Sequence, residues 1–211
     1  VAPPADLVAW LPGEGNAGDL ASGLDGVMGT GVSFTEGRLG HAFQFTDTAD
    51  SHIQFPNVPA FRPANNQFTI EAWVKPDFSS LNQIDTLFEK RDACSASYSF
   101  IFSVLKALPG YGTGVFGLGM QPQINFIAST NRIPDDGQFH HVAVSYNGGR
   151  SNGNCLLYLD GRIAGGGDGP GVIPASVNGP IIGRHNCLGT HSSMALDELC
   201  FFSRELSSSE I

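Results

Sequence analysis

The nine residues FTIEAWVKP, Phe68 to Pro76, alternate strictly. Phe68, Ile70, Ala72 and Val74 fall on one face, and Thr69, Glu71, Trp73 and Lys75 on the other. That period predicts a half-buried strand, ended by Pro76, which has no N–H to give a ladder. The same pattern recurs in SYSFIFSVL (Ser97 to Leu105), PQINFIAS and HHVAVSY (His140 to Tyr146), while LVAWL (Leu7 to Leu11) reads as a short apolar strand and MALDELCFF as the final strand. HAFQF and HIQFP read as a hairpin around the acidic connection TDTADS, and Asp160-Gly161 marks a tight hairpin inside CLLYLDGRIAG. A Pro-containing strand is predicted around Val172 to Val177, then PIIGR. The closing SRELSSSEI is predicted to make one serine-capped helical turn, with no longer amphipathic helix anywhere. Roughly a dozen short strands at regular spacing predict an all-β fold, a two-sheet antiparallel β-sandwich of the jelly-roll kind.

Length and charge narrow the partners. At 211 residues the chain can bury one large core. We expect a linker remnant over residues 1–6 (VAPPAD) and a single domain over 7–211, cut from a longer protein. The net charge of −9 argues against nucleic acid or an anionic membrane as partner. No apolar run is long enough to cross a bilayer as a helix. The charge is uneven: Asp6, Glu14, Asp19, Asp25, Glu36, Asp47 and Asp50 stand against Arg38 alone before residue 58. These carboxylates fall among glycines, a setting that suits either a calcium loop or a solvated acidic surface.

Cys94, Cys155, Cys187 and Cys200 lack the CxxC spacing of a zinc site. Two disulfides in an oxidising compartment or four reduced thiols both fit. We expect disulfides, because the rest of the chain looks like an extracellular module.

Five ordered motifs carry a family resemblance: FTIEAWVKP, FHHVAVSYNG, LYLDGRIAG, IIGR and ALDELCFFSRELSSSEI. With the opening W-x-P-G-E-G-N-x-x-D and EGRLGHAFQF, nearly the whole chain resembles the laminin-G-like branch of the concanavalin-A-like lectin/glucanase superfamily. The resemblance implies one convex and one concave sheet and a binding module of a secreted or surface protein, commonly with a structural calcium. It does not fix the ligand.

The residues add detail. Alternation places Asp197 with Leu199 and Phe201 on the core side of its strand and turns Glu198 and Cys200 the other way. A carboxylate there needs donors or a metal. Calcium held by Asp19 and Asp197, with carbonyls near Asn16 and Gly18, is therefore expected; caps on backbone N–H groups are the alternative for Asp197. Catalysis finds no paired carboxylates on one strand face, since Asp197 and Glu198 point apart. The chain is expected not to be an enzyme, with a hydrolase or lyase the least favoured reading. Trp73, among polar residues, either stacks on a sugar or packs under a loop, and the loop is favoured. Candidate ligand contacts are Tyr111, Asn125, Arg132, His185, Asn186 and His191. The expected function is a non-catalytic, calcium-stabilised carbohydrate-binding or adhesion module outside the cell, attached to other domains. A structural or protein-interaction domain is the alternative.

Overall fold

A computed structural model describes residues 4, 6–62, 65–92, 98–106, 108–120, 125–173 and 175–211. Its strands are β1 (Leu7–Leu11), β2 (Val27–Met28), β3 (Ser33–Glu36), β4 (His41–Phe45), β5 (Ile53–Gln54), β6 (Gln67–Pro76), β7 (Ile84–Arg91), β8 (Tyr98–Leu105), β9 (Val115–Met120), β10 (Asn125–Ala128), β11 (His140–Asn147), β12 (Cys155–Leu159), β13 (Arg162–Gly167), β14 (Ile181–Ile182), β15 (Arg184–His185), β16 (Thr190–His191) and β17 (Met194–Phe202). The first sheet runs β13-β12-β11-β6-β17-β4-β3, with β1 also on β17. The second runs β10-β9-β8-β7-β14-β5-β2.

The two sheets face each other across one core. Phe68, Ile70, Ala72 and Val74, the apolar set of β6, meet Phe88, Phe100 and Phe102 of the second sheet. Phe68 stacks on Phe100 with ring centroids 4.4 Å apart, so aromatic faces set the spacing at the centre. A ladder contact between Ser129 and Gly165 joins the sheets along one edge. The β12–β13 turn has Asp160 and Gly161 both at positive φ, as a two-residue hairpin demands.

Three sequence expectations are corrected. HAFQF and HIQFP are not a hairpin: β4 pairs with β3 and β17 in one sheet, β5 with β2 and β14 in the other. Phe43 and Phe45 therefore reach the core from one side and Ile53 and Phe55 from the other, with the acidic connection crossing between sheets. The described residues around Val172 and Val177 form no strand, and both valines are exposed. The C-terminal segment makes a turn, not a helix, closed by Ser207, whose N–H and hydroxyl both donate to Glu210.

A fourth correction positions the site. β17 carries a bulge between Asp197 and Cys200, with Glu198 at φ +52°. Before it, Leu196 pairs with core-facing Val74 and Asp197 with outward-facing Trp73. After it, Cys200 pairs with Glu71 and Phe201 with Ile70. The extra residue lets Leu196, Leu199 and Phe201 all reach the core, so Asp197 lies on the outer face and not beside Leu199 and Phe201. The partner of β17 changes at the same point, from β4 to β1.

No disulfide is seen among the described cysteines. Cys155, Cys187 and Cys200 are free thiols. Cys155 packs in the core, Cys200 faces out of the first sheet and Cys187 sits in the β15–β16 connection, so the sheets keep them apart. Cys94 lies outside the described residues.

Candidate functional site

Cross-strand pairing builds two rows on the outer face of the first sheet. One row runs Trp10 (β1), Cys200 (β17), Glu71 (β6) and Ala143 (β11). The next runs Asp197 (β17), Trp73 (β6) and His141 (β11). The C-terminal segment covers the neighbouring part of the face. There the Thr69 hydroxyl donates to the Arg204 carbonyl and accepts from the Leu206 N–H, while Ser145 donates to the Leu206 carbonyl.

The β3–β4 turn closes the other side. Asp197 Oδ2 accepts the N–H groups of Arg38 (2.8 Å) and Leu39 (3.0 Å), which fixes the turn over the sheet. A Cβ on Gly37 would stand 2.7 Å from that carboxylate oxygen, so only glycine fits there. The Arg38 guanidinium lies 4.8 Å above the Trp73 ring.

Between these walls lies a cavity of about 350 Å³, lined by Trp10, Trp73, Phe202, His141, Glu71 and Glu198 together with Leu39, Leu7, Pro4 and Cys200. The Trp10 indole N–H donates to Glu198 Oε2. Trp73 and His141 have ring centroids 5.4 Å apart. Burial raises the Glu71 carboxyl to about 7 and lowers His141. Their 3.8 Å approach is therefore a contact between groups that both lean to the neutral form, and not a strong ion pair. Burial also raises Glu198, more than the Trp10 hydrogen bond lowers it, and the charges of Asp197 and Glu14 add to the rise.

Each side chain expected to hold calcium is tied to its own set of hydrogen-bond partners. Asp19 accepts from the N–H groups of Trp10, Ala21, Ser22 and Leu24 and from the Ser22 hydroxyl. Burial alone would raise its pKa, but these bonds more than offset it and the carboxyl titrates below its usual range. Asn16 Oδ1 accepts the Gly18 N–H in a local turn. Asp197 serves Arg38 and Leu39 instead. Asp19 and the Oδ2 of Asp197 face N–H donors, while Asp197 Oδ1 is buried without a hydrogen-bond partner. Among the described residues no three or more His, Cys, Asp or Glu side chains group as a metal site.

The expected ligand contacts separate into two groups away from the cavity. Tyr111 is half-exposed with its ring edge-on to Phe126, and exposed Arg132 lies against Gly112. His185 is buried and its Nδ1 accepts the N–H groups of Cys187 and Leu188, so it organises the β15–β16 turn; burial, then the Arg91 charge, lowers it to about 4. The Asn186 N–H donates to Glu89, and His191 stands opposite Arg184. The side chain of Asn125 lies outside the described residues. Sequence reasoning weighed Trp73 but missed the cavity. The signal was the pairing of an acid and a Trp on the polar face of FTIEAWVKP with the His of HHVAVSY.

A family model described as the concanavalin A-like lectin/glucanases superfamily, of laminin G type, matches residues 47–211. The chain belongs to this family. Among solved structures it is similar to domain 4 of AbnA, an extracellular arabinanase from Geobacillus stearothermophilus, in complex with arabinotriose; identity is 21%, TM-score 0.71, with 97% of this chain and 96% of that one covered. The binding domain of Paraclostridial Mosquitocidal Protein 1 matches at 18% identity and TM-score 0.69, covering 97% of this chain and 50% of the other. Trypanosoma rangeli sialidase matches at 20% identity and TM-score 0.70, covering 99% and 32%. At these identities the likeness is one of fold, and this chain spans half of the second and a third of the third. No curated protein sequence matches significantly.

Proposed function

We infer that this chain is a non-catalytic carbohydrate-binding module of a secreted or surface protein, and that its sugar enters the cavity on the outer face of the first sheet. The observation that carries this reading is the joining of aromatic surface from Trp10, Trp73 and Phe202 with a few polar groups, Glu71, His141 and Glu198, in one concave space. Sugar rings stack on aromatic faces while their hydroxyls need polar partners at fixed places, and a volume of about 350 Å³ suits one saccharide unit. The solved relative bound to arabinotriose supports a glycan ligand for a domain of this shape.

A binding role fits the electrostatics better than hydrolysis. A glycosidase pairs one carboxyl of raised pKa with a second that stays ionised as base or nucleophile. Here burial shifts Glu71 and Glu198 in the same direction, whereas the two carboxyls of a glycosidase are pushed apart. The test is a glycan array probed with the parent chain and with Trp73→Ala, beside an assay for released reducing ends. Binding that the substitution removes, without turnover, supports the reading; a blank array or turnover by the chain overturns it.

A further inference from the structure

We propose that the sugar this cavity takes carries a protonated amine, as in a deacetylated hexosamine unit; the inference rests on the carbohydrate-binding reading above. The cavity is lined by carboxyl groups, and a cation beside it, Arg38, stands on the Trp73 ring. Glu71 and Glu198 both line it, and no Lys or Arg is among its described lining residues. Glu71 approaches His141 at 3.8 Å, beyond hydrogen-bond reach, and the Glu71 side chain is 19% exposed. Glu198 has one oxygen engaged by Trp10. The wall therefore holds two carboxyls and no described Lys or Arg to meet them.

A hydroxyl can fill some of that deficit, but an ammonium fills it better. It brings three N–H donors and the positive charge that two desolvated carboxylates lack. The burial that raises both carboxyls is the cost such a charge would relieve. Aromatic faces add to the attraction, since the ring quadrupole favours a cation above the plane. The protein already makes this contact on one lining ring, with Arg38 4.8 Å above Trp73.

The surrounding charge has the same sign. Asp197 and Glu14 act on Glu198 closely enough to raise it, so further carboxylates stand behind the wall. Glu14 belongs to the N-terminal stretch in which seven carboxylates face Arg38 alone. Of these, Glu14 acts on Glu198 and Asp19 on Cys200, so the wall carries a negative field that draws cationic ligands.

The experiment is calorimetric titration of the full chain with three β-1,4-linked oligosaccharide series that differ at C2: glucosamine (amine), N-acetylglucosamine (acetamide) and glucose (hydroxyl). The amine series should bind about tenfold or more tighter than the other two, an advantage of the size cation and carboxylate contacts supply. Glu71→Gln and Glu198→Gln, which keep shape, should each reduce that advantage, with melting curves confirming the fold. Equal binding of all three series overturns the amine while leaving the glycan reading intact, as does an amine preference that survives in the double variant. A positive glycan array with no binding of the amine series overturns the amine alone. Ethanolamine binding as tightly as the amino sugar would overturn the sugar part, because the cavity would then be reading charge without a ring.

Discussion

Asp197 stands directly opposite Trp73 across β17 and β6, on the outer face, although alternation along MALDELCFF assigns it to the core. The bulge at Glu198 makes this possible, and from it follow the fixed β3–β4 turn, the Arg38–Trp73 contact and the edge of the cavity. Glu198 pays for it with φ +52°, a conformation unfavourable to L side chains. Glu198→Gly should leave stability within about 1 kcal/mol of the parent, with lost strain offsetting the lost Trp10 bond, whereas β-branched Glu198→Val should lose at least about 2 kcal/mol. Urea unfolding of the two variants checks this, and equal losses would sink it.

Removing the other end of the relationship should loosen the turn. Asp197→Ala deprives the Arg38 and Leu39 N–H groups of their acceptor. Bonds to an ionised group contribute more than neutral ones, so a loss of about 2–3 kcal/mol is expected. Tryptophan emission should change in the folded variant, because Arg38 would no longer be held over Trp73. An unchanged midpoint and spectrum would show that the turn is held by something else.

Glu71 makes stability and binding depend on pH in opposite directions. Burial moves its pKa from the ordinary 4.5 up to about 7. Between those values the folded chain keeps a proton that the unfolded chain gives up, so stability falls as pH rises through this window. Glu89 is also raised to about 7 by burial, so the parent chain alone cannot isolate Glu71. The difference between parent and Glu71→Gln can: the variant should lack a decline on the order of 1–3 kcal/mol across pH 4.5 to 7. Amino-sugar affinity should run the other way in the parent, rising as pH approaches 7 and Glu71 ionises. Parallel stability curves for the two proteins would refute the assignment.

The thiols should respond according to where the sheets place them. Cys155 is fully buried in the core, and burial pushes its thiol far up; Cys200 is raised by burial first and then by the charges of Glu71, Glu198 and Asp19. A thiol that holds its proton is a poor nucleophile. Cys187 is half-buried in the β15–β16 connection. Iodoacetamide at pH 8 followed by peptide mass mapping should therefore modify Cys187 before Cys155 and Cys200. All three should label in the unfolded chain without a reductant. A reductant requirement at any of them would contradict free thiols.

The fold was legible because alternation is a local signal. FTIEAWVKP, HHVAVSY and most of MALDELCFF each declare their core face without reference to the rest of the chain. The cavity was not legible, because Trp10, Glu71, Trp73, His141 and Glu198 come from four strands that only the sheet order makes neighbours. The bulge was invisible for another reason. Nothing in the residue type of Glu198 announces a positive φ, and one unannounced extra residue is enough to exchange the faces assigned to Asp197. HAFQF and HIQFP illustrate the same limit: each strand was correct, but which sheet it joins depends on partners far along the chain.

Asp19 separates a loop held by hydrogen bonds from a loop built round an ion. Its carboxylate takes five donors from Trp10 and the segment Ala21 to Leu24, and it is nearly buried. Asp19→Ala would leave those donors unmet and should cost about 3 kcal/mol or more, among the larger single-site losses in the chain. The same saturation means that a cation would have to displace donors before Asp19 could ligate it. Millimolar calcium should therefore leave the parent melting temperature unchanged, since a ligand raises it only when the folded form binds preferentially. A rise that Asp19→Ala abolishes would show the loop rearranging round an ion and would overturn this account of it.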